Sequence, residues 1–185
     1  QELSNFREQC DSGNMNVSMF QIFTEVLDWD VIHKVCEGIE EVFPEVPYMG
    51  CSTSGNIVDC RLSYNITVVC TMFELPSTQV KIFQYDLTQS SVEQITETIV
   101  AETKQYPWVK AIEMFFTIPE TSTTRFCDGL RWIRRDIQIF GGVACSDDIT
   151  SDASCVFSKA NGVSEKSILI VFYGGENFYV DSINV

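Results

Sequence analysis

Apolar positions along the chain follow two spacings, and the changes between them mark the elements. Val17 to Phe23, "VSMFQIF", reads as a strand. Asp28 is placed to cap a helix running to about Phe43, where Val31, Ile32, Val35, Cys36, Ile39, Val42 and Phe43 fall on one stripe. Pro44 and Pro47 end it. A short strand "VPYMG", a Gly/Ser/Thr loop and three strands follow: "NIVDCRLS", "NITVVCTMF" and "TQVKIFQYDL". Ser91 to Gln105 returns to helical spacing, with Val92, Ile95, Ile99 and Val100 on one side, and Pro107 closes it. "VKAIEMFFTI" reads as a buried strand, Thr123 to Arg135 as a third helix, and "QIFGGVA" as a strand before the loop "CSDDITSDAS". The end of the chain reads as "CVFS", an Asn161-Gly162 hairpin turn, and the strands "SILIVFYGG" and "FYVDSINV".

About ten strands and three helices predict an α/β (α+β) domain: a mixed sheet, or two packed sheets, covered by helices. Residues 1–16 read as a polar leader and 17–185 as a single domain. The chain starts at Gln1 and stops directly after a strand at Val185, so the expectation is a fragment of a longer multidomain protein.

Composition narrows the partners. Among 185 residues, 12 Lys and Arg face 26 Asp and Glu, a formal charge of −14. No basic face is available for phosphates or for an anionic membrane surface, so neither nucleic acid nor membrane is an expected partner. No apolar stretch approaches the roughly 20 residues of a spanning helix. The eight cysteines are an even number, as four disulfides would need, but several sit where a small buried apolar residue belongs: Cys70 inside "ITVVCTMF" and Cys36 on the first helical stripe. Free thiols and a cytoplasmic location are therefore expected. Asn16 and Asn65 open glycosylation sequons that matter only in a secreted protein. With no C-x-x-C and a single His, a zinc site is not expected.

Two loops carry the candidate chemistry. In the first, Gly50, Cys51, Ser52, Thr53, Ser54 and Gly55 follow an apolar strand, and small hydroxylated residues let backbone N–H groups approach a carboxylate. A tight turn between strands explains the same composition. In the second, Gly141 and Gly142 precede Ser146, Asp147 and Asp148, whose carboxylates suit a cation or an amino group; a solvated loop is the plain alternative. Neither loop has the spacing of a P-loop or of a nucleophile elbow. Arg125, in the third helix beside Arg131, Arg134 and Arg135, is a candidate for a ligand carboxylate. His33 is the only imidazole, read as a core or boundary residue of the first helix; it is also the only histidine for a haem or for a Cys51 or Ser52 hydrolase. No catalytic set and no cofactor are expected.

The strand leading into "MGCSTSGNI", followed by "IFGGVACSDD", "CVFS" and "NGVSEKSILIVFYGG", resembles the FIST N domain over about residues 17–185. Cys145-Ser146 departs from the family's second loop, where a shorter or different insertion is usual. The resemblance implies a sensory domain of an intracellular bacterial signalling protein. It would precede a FIST C half or an output module such as a diguanylate cyclase or histidine kinase region. It implies a small ligand, amino acids among them, and some members of the family are reported as haem-binding gas sensors. The expected function is thus a non-catalytic ligand-binding input domain, with a haem sensor through His33 and a thiol or hydroxyl hydrolase as the alternatives.

Overall fold

The computed structural model describes residues 2–117, 123–147 and 153–181. They form α1 (Glu2–Gly13), β1 (Val17–Thr24), α2 (Trp29–Val42), β2 (Tyr48–Ser52), β3 (Asn56–Val58), β4 (Arg61–Ser63), β5 (Thr67–Met72), β6 (Gln79–Asp86), α3 (Val92–Gln105), β7 (Val109–Phe116), α4 (Thr123–Leu130), β8 (Gln138–Val143), β9 (Val156–Ser158), β10 (Gly162–Ser164) and β11 (Ser167–Gly174). One sheet has the order β10-β9-β2-β1-β5 and a second the order β6-β11-β7-β8; β3 and β4 pair as a separate ribbon. Both main sheets are mixed, with β1 parallel to β2, β7 parallel to β8, and the other neighbours antiparallel.

The two-residue period of each strand divides the core into layers. In β11 every residue is buried, because both of its faces are covered. Ile168, Ile170 and Phe172 join Ile95, Ile99, Phe126 and Leu130 under α3 and α4. Leu169, Val171 and Tyr173 point the other way and meet Met19, Met49, Cys51 and Val156 of the first sheet. The far face of that first sheet, through Phe20, Ile22 and Phe157, packs on Ile32, Cys36, Ile39 and Phe43 at α2. The order is therefore helices, sheet, sheet, helices.

Local chemistry fixes the helix starts. The Asp28 carboxylate accepts the N–H groups of Asp30 and Val31 at 3.0 and 3.3 Å. At α3, Ser91 and Gln94 form a reciprocal capping box, with the Gln94 side chain accepting the Ser91 N–H at 2.9 Å and the Ser91 hydroxyl accepting the Gln94 N–H at 3.3 Å.

Four expectations are corrected. The supposed leader is α1: Leu3 and Phe6 pack on the α2 core, Cys10 is buried, and Arg7 pairs with Glu45 at 2.5 Å. The third helix stops at Leu130 and not at Arg135, although Ile133 and Ile137 beyond it remain buried. "NIVDCRLS" is two strands, folded at Asp59 and Cys60, whose φ values are +50° and +60°. Of "FYVDSINV", residues 178–181 form no strand, with Phe178 and Val180 packed against the inter-sheet core, and 182–185 lie outside the described residues.

Candidate functional site

The first three candidates of the Gly50 loop belong to β2, not to a loop, and all are buried. Gly50 is small because Phe157 lies opposite it: a Cβ there would sit 2.2 Å from Phe157 Cζ and 2.5 Å from the Ile22 carbonyl oxygen. The Cys51 side chain enters the space between the sheets. Burial first, then the neighbouring Cys155, Glu113 and Cys145, raise its thiol well above the usual thiol range. Ser52 is a stitch. Its N–H donates to the Cys155 carbonyl and its hydroxyl accepts the Cys155 N–H, both at 2.9 Å, and its carbonyl accepts the Cys145 N–H at 3.2 Å. Neither Cys51 nor Ser52 offers an exposed nucleophile.

The turn itself is Thr53 to Asn56. The Thr53 N–H donates to the Thr24 carbonyl at 2.8 Å, and its hydroxyl contacts Asn56 Oδ1 at 3.2 Å and accepts the Gly55 N–H at 3.4 Å. Asn56 Nδ2 donates to the carbonyls of Phe23 and Asn65 at 3.3 and 2.9 Å. The polar groups of Thr53 and Asn56 are thus engaged within the turn or by the neighbouring Phe23, Thr24 and Asn65, while Ser54 is exposed.

The second loop leaves β8 at Val143. Gly141 is required by close approach: its φ is +139°, and a Cβ would fall 1.8 Å from the Met114 carbonyl oxygen of β7. A Cβ on Gly142 would meet nothing within 4 Å. Ala144 N–H continues the ladder to the Phe116 carbonyl at 2.8 Å, and Cys145 N–H crosses to Ser52 of the other sheet. The two candidate loops are therefore brought to one end of the sandwich. There the Ser146 hydroxyl is buried with no hydrogen-bond partner and Asp147 is exposed. Asp148 lies outside the described residues.

Arg125 does not join them. It is exposed on α4 and lies 3.8 Å from Glu93 of α3, beside an open groove of about 520 Å³ whose walls include Glu97, Lys104, Gly129 and Trp132. His33 is exposed on α2 and is not the core or boundary residue expected from the sequence. A haem ligand must face a large apolar slot, whereas the buried positions of this helix are Ile32, Cys36 and Ile39 and His33 is exposed beside their stripe. All eight cysteines are free thiols; Cys10, Cys36, Cys51 and Cys155 are buried and Cys60 and Cys127 exposed. Among the described residues, no cluster of three His, Cys, Asp or Glu could hold a metal ion, and no helix is long and apolar enough to cross a membrane.

Sequence reasoning missed a polar network between the sheets. Glu113 of β7 accepts the Tyr173 hydroxyl at 2.6 Å and Gln21 Nε2 at 2.9 Å, both on Oε2. Gln21 Oε1 in turn accepts the Thr71 hydroxyl at 3.3 Å. Desolvation raises the Glu113 pKa, against the lowering effect of its two donors. The signal was a lone carboxylate inside "VKAIEMFF" and a lone amide inside "VSMFQIF".

The family model of the FIST N domain matches residues 19–184. No curated protein matches the chain. The match covers nearly the whole sequence, and the chain belongs to the FIST N family, a family of sensory domains.

Proposed function

We propose that this FIST N domain is the non-catalytic input module of an intracellular bacterial signalling protein and senses an amino acid at the two joined loops. The observation that carries the reading is the hydrogen bond from Cys145 N–H to the Ser52 carbonyl, which brings the turn of Thr53, Ser54 and Gly55 and the loop of Ser146 and Asp147 to one end of the sandwich. Ligands of α/β folds collect at strand ends of this kind. The unpartnered Ser146 hydroxyl has hydrogen-bonding capacity to offer. Asp147, with Asp148 as the sequence candidate beside it, supplies a carboxylate for an ammonium group. Ser54 and the loop backbone supply donors for the ligand carboxylate. A free-thiol, acidic domain fits the cytoplasm. An output domain in the same full-length protein, such as a diguanylate cyclase, is the expected recipient of the signal.

The test is a thermal-shift screen of the amino acids followed by calorimetry on the best one. A ligand present at 100 times its Kd stabilises the folded state by about 2.7 kcal/mol. Asp147→Ala and Ser146→Ala should each weaken binding, with at least about a tenfold loss for the carboxylate that holds the ammonium group. A screen in which no amino acid raises Tm, or an affinity indifferent to both substitutions, removes this reading.

A further inference from the structure

Helices α3 and α4 touch closely at Gly129, where a Cβ would stand 2.4 Å from Thr96 Oγ1. Beside that contact opens the groove of about 520 Å³, lined by Val100 and Ala101 of α3 and by Trp132 past the end of α4. Trp132 is 71 % exposed, although an indole is among the largest apolar surfaces a side chain can offer. Arg131 lies 5.2 Å from its ring. Tryptophan and arginine are the residue types that dominate contact energy at protein interfaces. The Thr96 hydroxyl, which lines the groove, already donates to the Glu93 carbonyl at 2.9 Å. Between its charged ends the groove therefore presents apolar surface and a satisfied hydroxyl, which suits a broad contact better than a small polar ligand.

The charges of α3 are arranged about that apolar centre. Glu97 stands three residues before Val100 and Lys104 three residues after Ala101, so the two are symmetric about the midpoint between Val100 and Ala101. Both line the groove and both are exposed. Helical rise sets them about 10 Å apart along the axis, beyond the spacing at which helix neighbours pair. Neither forms an ion pair among the described residues, whereas Glu93 has Arg125 at 3.8 Å. Along the groove Glu93 and Glu97 are thus balanced by Arg125 and Lys104, in a chain whose net charge is −14.

We propose that this face pairs two copies of the chain, α3 against α3 in antiparallel sense, about a twofold axis between Val100 and Ala101. Glu97 then meets the partner's Lys104, Lys104 meets the partner's Glu97, and Trp132 of each copy is covered. A twofold contact makes each favourable pair occur twice. The small side chain of Ala101 at the axis lets the two helices approach. A chain of charge −14 repels its own copy at a distance, and a face whose charges balance is where that repulsion is least. The pairing is independent of the strand-end loops and of any ligand there.

Sedimentation of the full chain at rising concentration should show a monomer–dimer equilibrium. Glu97→Lys and Lys104→Glu each turn two attractive cross pairs into repulsive ones and should weaken the dimer about tenfold. The first makes the chain less negative and the second more so, so a general charge effect would move them in opposite directions. An equimolar mixture of the two variants restores both cross pairs and should recover a mixed dimer, and the doubly substituted chain should recover its own. Trp132→Ala should weaken the dimer at least about tenfold. All three positions are exposed, and a wild-type Tm for the dissociated variants checks that the loss is not unfolding. A chain that stays monomeric into the millimolar range, leaving the groove to some other molecule, overturns the proposal. So does a dimer indifferent to Trp132→Ala and to both charge variants, or a pair of charge variants that fails to recover on mixing.

Discussion

At the scale of single residues, small side chains have two different causes, and the structure separates them. Gly50 is set by the Phe157 ring and Gly141 by the Met114 carbonyl, so both answer to packing between strands and not to a ligand. Gly141→Ala must place a Cβ where 1.8 Å is available and hold an L-residue at a φ of +139°. It should cost about 1–3 kcal/mol or more, read as a lower denaturant midpoint. Wild-type stability in this variant would show that β8 lies further from β7 than described. This explains why the site was only half legible: a run such as "MGCSTSGN" looks the same whether the backbone approaches a ligand or a phenyl ring. The thiols separate by the same reasoning. Cys155 and Cys70 are each pushed up to about 11 by burial, while Cys60 and Cys127 are exposed. Alkylation of the native protein should label Cys60 and Cys127 first, with Cys51 and Cys155 reacting only on unfolding.

Glu113 carries a pH dependence of definite sign. Its pKa is raised in the fold above the ordinary carboxyl value of 4.5, chiefly by desolvation. The folded state then holds the proton where the unfolded chain has released it, so this group's stabilising contribution is complete below about pH 4.5 and is lost as pH rises through the folded value. Glu45, Asp86 and Glu93 are shifted the opposite way, but these groups are common to wild type and variant and cancel in the difference. The Tm of wild type minus that of Glu113→Gln should therefore fall as pH rises above the ordinary carboxyl value of 4.5. A difference that rises there would mean that the Tyr173 and Gln21 hydrogen bonds outweigh desolvation.

At the scale of elements, legibility followed the strength of the local signals. α2 was readable because a capping Asp28, an unbroken stripe and Pro44 agree. α1 was not, because Leu3, Phe6 and Cys10 are three apolar positions in a polar stretch, and such a helix depends on docking against α2. α4 was overextended because Phe126, Leu130, Ile133 and Ile137 keep helical spacing while the backbone turns after Leu130. The hairpin of β3 and β4 was hidden because Asp59-Cys60 takes the positive φ values usually left to Asn-Gly, and because Ile57 and Leu62 stay 81 % and 60 % exposed. The capping box of α3 gives the element-scale prediction. Ser91→Ala leaves the Gln94 N–H without its acceptor and should cost about 1 kcal/mol, with faster amide exchange confined to the first turn of α3. Unchanged exchange there would show that the helix start is held by Val92 and Ile95 packing alone.

At the scale of the whole molecule, the layer between the sheets joins two helix-backed halves. Each half has its own apolar cluster under its helices, and both share the layer built from Met19, Met49, Cys51, Val156, Leu169 and Val171. If that layer couples them, a cavity there is felt on both sides. Met49 is fully buried in it, and Met49→Ala should cost about 2–5 kcal/mol. Because the first sheet packs on the second along β9, β2 and β1, the loss should lower amide protection in β1 and in β11 by the same free energy. Phe126→Ala, in the cluster under α4, provides the contrast: it sits on the far side of the second sheet and touches the first only through that shared layer. One cooperative unit predicts that both variants unfold in a single transition whether followed by exchange at β1 or at β11. Two transitions, with β1 retaining protection in Phe126→Ala while β11 loses it, would show two separately stable halves.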